Sequence, residues 1–250
     1  WLDNAASYDR LAPCLSQYRV IALDFSGHGY SAYRPSGMRY HMLDNVDDVI
    51  GLADALDLDQ FVLMGHSMGA GIATYTAASF PERISQLVLI EGIGTLASPP
   101  AEAPQVLRKA VEEMKKAGAK RKPVYESRNE AIEARSQAIG GISLDAAAIL
   151  CSRGLEVADN GFTWRSDSRL RMSSSLWLTE ELVQGFLAAL SMPVLLIRGE
   201  QSFLANSQTL QERARHVAHC QLVSLPGNHH LHLEAASYEA VAGAIQAFLR

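Results

Sequence analysis

Short apolar runs alternate along this chain with segments whose apolar residues recur every three or four positions. Residues 18–24 (Tyr-Arg-Val-Ile-Ala-Leu-Asp) form an apolar, β-branched run that ends on an acid and enters Phe25-Ser26-Gly27-His28-Gly29. This predicts a buried strand running into a glycine turn. From 42 to 58, Leu43, Val46, Val49, Ile50, Ala53 and Leu56 recur at helical spacing, with Asp44, Asp47, Asp48, Asp54 and Asp57 mostly opposite, so an amphipathic helix is expected. The run 61–64 (Phe-Val-Leu-Met) reads as a strand, followed by a helix that Pro81 stops near Phe80, and 84–90 (Ile-Ser-Gln-Leu-Val-Leu-Ile) is the next strand. Strand, helix, strand, helix, strand predicts a parallel sheet covered on both faces.

Beyond residue 96 the pattern changes. Up to about 185 no convincing strand is visible, and the helical patterns are broken by Pro99, Pro100, Pro104, Pro123, Gly140 and Gly141. A mostly helical insertion is predicted there. The sheet resumes at 193–198 (Pro-Val-Leu-Leu-Ile-Arg), and a helix near 207–219 and a strand at 220–225 follow. The closing helix, about 235–249, carries Tyr238, Val241, Ile245 and Phe248 on one face. The expected division is an α/β core over 1–94 and 187–250, with the insertion over 95–186.

Composition changes this picture little. The 250 residues are 48% hydrophobic and 20% charged, with a net charge of −5, which suits a core-forming globular protein and points to neither nucleic acid nor an anionic membrane. The basic stretch Lys115, Lys116, Lys120, Arg121, Lys122 is flanked by Glu112, Glu113 and Glu126 without interleaved aromatics, and reads as a solvated helix end. Cys14, Cys151 and Cys220 are odd in number and widely spaced; they predict incidental thiols in a reducing, cytoplasmic setting. No apolar run is long enough to span a bilayer. Trp1-Leu2-Asp3-Asn4 reads as an internal stretch, so N-terminal strands are expected to be missing from this chain.

The candidate chemistry centres on Gly65-His66-Ser67-Met68-Gly69, between the apolar run and the Ala-rich helix. A strand, a sharp turn and a helix around Gly-x-Ser-x-Gly make a nucleophile elbow. Such a bend holds the serine in strained backbone, and glycines are expected two residues before and after it because a Cβ would collide there. The turn raises the Ser67 hydroxyl and presents the Met68 N–H beside it. A serine needs a base, and eight histidines compete. His229, His230 and His232 lie just past the last strand, at the sheet edge where α/β ligands bind. Glu91 ends the strand 84–90 at that same edge.

The elbow, the turn from Asp24 to Gly29, Trp1-Leu2-Asp3-Asn4-Ala5 and Gly227-Asn228-His229-His230-Leu231-His232-Leu233-Glu234 together resemble the α/β-hydrolase fold family, in its serine hydrolase-like branch. The resemblance covers 1–94 and 187–250 well and the insertion poorly. It implies that the insertion is a cap over the active site and that a strand ending in His-Gly precedes the position of Trp1. It also implies that His28 is structural and that the base lies five residues before Glu234, at His229, with His230 the second choice and His232 packed beneath the loop. In the family the acid usually follows the strand written here as 193–199. That position is Ser202, in Gly199-Glu200-Gln201-Ser202, and serine cannot hold a negative charge against an imidazolium. Glu200 is displaced by two residues from the usual place; Glu91 is favoured, since some haloalkane dehalogenases of this fold take their acid from that strand end. The oxyanion donors implied are the backbone N–H groups of Met68 and Trp1.

The function expected is hydrolysis of a carboxylic ester, or a related acyl compound, through an acyl-serine on Ser67. No cofactor and no metal are expected, and the partner is a small-molecule substrate. A degenerate, non-catalytic binding protein is the alternative, motivated by Ser202 and the absent His-Gly. Met114, Trp164, Met172 and Trp177 are candidate pocket walls or equally ordinary packing residues.

Overall fold

In a computed structural model that describes residues 1–116, 121–138 and 140–250, the apolar runs at 61, 84, 194 and 220 become one sheet. Strands β1 (Phe61–His66), β2 (Ile84–Ile90), β6 (Val194–Gly199) and β7 (Cys220–Leu225) lie in the order β1-β2-β6-β7, every pair parallel. The central strands read as continuous apolar runs because both faces are buried. Leu87, Leu89, Val194 and Leu196 point into one core with Ala70, Ala73 and Ala77. Val88, Ile90, Leu195 and Ile197 point into the other, with Val241 and Ile245.

Helix α1 (Asn45–Ala55) is shorter than its periodicity suggested and buries Val49 and Ala53. Helix α2 (Met68–Ser79) is buried from Ala70 to Ala77, as expected of a helix that is apolar all round. Its Thr74 and Thr76 hydroxyls donate to the carbonyls of Ala70 and Ile72, at 2.8 and 2.9 Å, so these threonines cost no unpaired polar group.

The strand expected at 18–24 does not form. Its β-branched residues supply propensity, but a strand needs a hydrogen-bonded neighbour. Among the described residues no backbone bond ties 19–23 to the sheet, and Val20 and Ile21 are over 40% exposed. The glycine turn that follows is present, with Gly27 and Gly29 both at positive φ.

The inserted region holds helices α3 (Ala103–Lys115), α4 (Arg128–Ser136) and α5 (Leu144–Gly154), and α6 (Glu180–Ala188) runs across its end. Contrary to the expectation of no strand, β3 (Val124–Tyr125), β4 (Leu155–Ala158) and β5 (Gly161–Trp164) form an antiparallel sheet in the order β3-β5-β4. Runs of two to four residues are too short to display a period of two. The available signal was Asp159-Asn160-Gly161, a tight hairpin turn. Helices α7 (Gln208–Arg215) and α8 (Tyr238–Phe248) complete the fold.

Charged side chains tie the insertion to the sheet domain. Arg153 on α5 donates to the Asp24 carboxylate at 2.8 Å, which also accepts the N–H groups of Ala5 and Tyr30. Arg169 donates to the carbonyls of Arg34, Pro35 and Met38. Lys122, read from sequence as part of a solvated end, instead donates to Tyr33, Glu156 and the Trp164 carbonyl. Lys120 lies outside the described residues. Among the described residues no helix is long and apolar enough to cross a membrane.

Candidate active site

The turn between β1 and α2 forms because one glycine lets two backbones meet. A Cβ on Gly65 would land on the Gly69 carbonyl, whereas one on Gly69 would meet nothing within 4 Å. The steric demand expected on both sides of Ser67 therefore falls on Gly65 alone: β1 runs into the first turn of α2, while position 69 faces open space. Ser67 itself sits at φ 52°, ψ −114°, a sparsely populated conformation for a side-chain-bearing residue. Two further non-glycine residues at positive φ, Leu2 at 66° and Glu91 at 56°, lie beside it. Met68 opens α2, so its N–H is one of the donors a helix start leaves unpaired.

Three chain segments distant in sequence converge here. His229 Nε2 lies 3.0 Å from Ser67 Oγ, and His229 Nδ1 lies 2.9 Å from Glu91 Oε2. Beside that carboxylate, Nδ1 carries the proton and donates it, leaving the Nε2 lone pair to accept from the serine hydroxyl. Glu91 is 1% exposed and His229 8%. A buried carboxylate needs donors, and Gly199 N–H supplies one to Oε1 at 2.6 Å while the Ser202 hydroxyl supplies another to Oε2. Glu200, the alternative acid, is exposed, and its backbone N–H is engaged with the Leu225 carbonyl.

The remaining histidines separate by environment. His230 Nε2 faces Asp3 at 3.2 Å and Arg135, so the second-choice base engages Asp3 rather than Ser67. His232 contacts Ser7 Oγ at 2.8 Å and is fully buried, in keeping with a packing role. His28 bonds the Ser26 carbonyl within the glycine turn. The His66 Nε2 reaches the His229 carbonyl at 2.7 Å. A neutral ring in that position must donate, so His66 holds the loop that carries His229. No sequence motif announced this contact.

Burial holds His66 well below the ordinary histidine pKa, and burial pushes His232 down to about 3; their ring centroids lie 4.1 Å apart, tilted at 39°. Both are thus neutral in the fold and protonatable once unfolded, so they contribute stability above the ordinary histidine pKa that is lost as pH falls below it. Moving from about pH 7.5 to about pH 5 is expected to lower unfolding stability by about 2 kcal/mol through His232, with His66 acting in the same direction. Urea midpoints measured at the two pH values check this, and an unchanged midpoint would contradict it.

A cavity of about 630 Å³ opens over Ser67 and His229. Its walls are largely apolar and aromatic, with Trp1, Leu2, Tyr125, Leu150, Trp164 and Phe203 prominent. Of the four wall residues proposed from sequence, Trp164 lines it; Met114, Met172 and Trp177 do not. Trp1 is anchored by its indole N–H, which donates to the Leu170 carbonyl at 2.9 Å. Among the described residues no three His, Cys, Asp or Glu side chains are grouped to hold a metal ion.

Residues 1–236 match the alpha/beta hydrolase fold, and the chain belongs to that family. Among its relatives is a serine hydrolase-like protein of Dictyostelium discoideum, 31% identical over 95% of this chain and 70% of its own length. A solved structure of a hypothetical protein from Pseudomonas aeruginosa PAO1 is 42% identical, with a TM-score of 0.96 over 100% of this chain and 88% of that one. A thioesterase domain from the curacin biosynthetic pathway is 27% identical, with a TM-score of 0.86 over 98% of this chain and 88% of that one.

Proposed function

We propose that this protein is a serine hydrolase that cleaves a carboxylic ester, or a related acyl substrate, through an acyl-serine intermediate. The observation that carries the reading is the His229 ring, bonded to the Ser67 hydroxyl at one nitrogen and to the Glu91 carboxylate at the other. Ser67 Oγ attacks the carbonyl carbon as His229 Nε2 takes its proton. His229 then protonates the leaving group, and a water activated by the same ring releases the acid. Glu91 keeps the proton on Nδ1 and stabilises the imidazolium between these steps. The Met68 N–H, with that of Trp1, would hold the developing oxyanion; removing one such donor typically costs about 10²–10³ in rate.

In this reading residues 95–186 are a cap over a core of 1–94 and 187–250, and the cap supplies the Tyr125, Leu150 and Trp164 walls of the cavity. Those walls favour a substrate with an apolar group of moderate size. The likeness to a thioesterase domain makes thioesters a natural second substrate class for the same machinery. A dehalogenase or epoxide hydrolase is disfavoured, because that chemistry uses an aspartate nucleophile where Ser67 stands. Ser202, which motivated the alternative of a degenerate binding protein, donates to Glu91, and His229 is not left without a carboxylate.

The test is turnover of short p-nitrophenyl esters and acyl thioesters, together with mass mapping of a fluorophosphonate adduct. Multiple turnover and a single adduct on the peptide containing Ser67 are expected. A protein that neither turns over such substrates nor takes up the probe would overturn the reading.

A further inference from the structure

Two arginines of the inserted region, Arg135 and Arg171, line the cavity over Ser67 and His229, and among its described walls Asp3 is the one acidic side chain. Asp3 is already engaged. Its Oδ1 accepts from Arg135 Nη2 at 2.7 Å, and its Oδ2 lies 3.2 Å from His230 Nε2. Burial opposes ionisation of this carboxyl, but the His230 bond and the Arg135 charge outweigh it and hold Asp3 well below the usual carboxylate range. Arg135 still keeps a donor in hand, because its Nη1 is buried and has no acceptor among the described residues. Arg171 has no counter-charge at all. It ends the turn Ser168–Arg171 and is exposed, and among the described residues no hydrogen bond or ion pair engages its side chain. Arg169 of the same turn is fully occupied, by Asp167 at 2.6 Å and by the carbonyls of Arg34, Pro35 and Met38. Leu170, between the two, accepts the Trp1 indole N–H at 2.9 Å, which fastens the turn beside the Trp1 wall of the cavity.

We propose that the substrate is an anion: an ester or thioester bearing a carboxylate or phosphate, which Arg171 selects with Arg135 as the second cation, while its uncharged part lies on the apolar walls. The proposal rests on the hydrolase reading above and narrows its substrate class. Leaving the histidines aside, two arginines against one aspartate give the described wall a surplus of one positive charge, in a chain whose net charge is −5. The cavity thus runs against the sign of the molecule, and a cleft with low-dielectric walls concentrates such a field. A guanidinium also matches the fork of a carboxylate or phosphate with paired donors. The charged part of the wall is close to the chemistry. Arg135 Nη2 lies 3.4 Å from His230 Nε2, and the His230 and His229 ring centroids are 5.2 Å apart, so a short spacer separates the scissile carbonyl from the anionic group. That group can sit on the acyl side, as in a monoester of a dicarboxylic acid, or on the leaving side, as in a phosphate-bearing thiol.

The experiment measures kcat/KM of the full chain on two matched pairs. Mono-p-nitrophenyl glutarate is set against p-nitrophenyl valerate, whose acyl chain has the same length without the charge, and butyryl-coenzyme A against butyryl-N-acetylcysteamine, which lacks the phosphates. In at least one pair the anionic member is expected to be favoured about tenfold or more, as a bond to a charged group predicts. A preference in the first pair places the anion on the acyl side, and one in the second places it on the leaving side. Added salt is expected to shrink the ratio, since Arg171 is exposed and screened. Arg171→Gln is expected to lower the ratio about tenfold, and Arg171→Glu to reverse the preference by setting like charge against like. The ratio is the readout because general damage to the fold slows both members of a pair alike, and melting curves run in parallel. A wild type that turns over the neutral substrates without favouring an anion in either pair, or a preference that survives both substitutions, overturns the proposal alone. A wild type that turns over none of the four and takes up no fluorophosphonate overturns the hydrolase reading and the proposal together.

Discussion

Ser67→Ala is expected to lower kcat on a p-nitrophenyl ester by about 10⁶ and to abolish phosphonate labelling, leaving the fold intact. The size follows from what the hydroxyl does: without it no acyl-enzyme forms, and the histidine and acid have nothing to activate. Loss of the nucleophile in a serine triad costs about as much as loss of the whole triad. The fold is expected to survive because the constraint at this turn resides in Gly65, whose missing Cβ admits the Gly69 carbonyl. Ser67 holds φ 52°, and alanine has no larger steric conflict there than serine. Kinetics on a short ester with a parallel melting curve check both halves. Undiminished turnover would show that another group performs the chemistry.

The second large effect is expected at Glu91. Glu91→Gln keeps the shape but replaces the acceptor facing His229 Nδ1, which then sits 2.9 Å from an amide in place of a carboxylate oxygen. The ring is free to adopt the wrong tautomer and its protonated form loses its counter-charge, so kcat is expected to fall by about 10⁴. Glu200→Gln is the matched control: that side chain is exposed, and near-normal turnover is expected. A crippled Glu200→Gln beside an active Glu91→Gln would reverse the assignment of the acid.

The residues of the site were legible to different degrees, and the differences have causes. Ser67 was visible because an elbow leaves a dense local signature: an apolar strand, two flanking glycines and a helix within some twenty residues. Only one of those glycines proved sterically required, which shows how a motif can be recognisable without each of its letters carrying the same constraint. Among eight histidines, His229 was picked out by its distance from Glu234 in a related pattern, and no local physics separated it from His230. What separates them in space is the partner each finds, Ser67 and Glu91 for one, Asp3 and Arg135 for the other. The bond from His66 to the His229 carbonyl spans 163 positions and left no trace in any local pattern.

Residues 18–24 and the small antiparallel sheet failed in opposite directions. The first has strand propensity without a hydrogen-bonded neighbour, and the second has neighbours but too little length to show a period of two, since its longest strands are four residues.

Read along the chain, apolar periodicity was enough for the parallel sheet with helices on both faces, and the Gly-x-Ser-x-Gly motif between strand and helix for the elbow with its serine. Those features depend on neighbours within one or two turns, and side-chain volume and backbone freedom are written locally. Which partner each histidine of the cluster meets, and that Glu91 instead of Glu200 faces His229, required folding. Each depends on groups more than a hundred positions apart meeting within a hydrogen bond's reach, and only the packing of β2 between β1 and β6 brings them there.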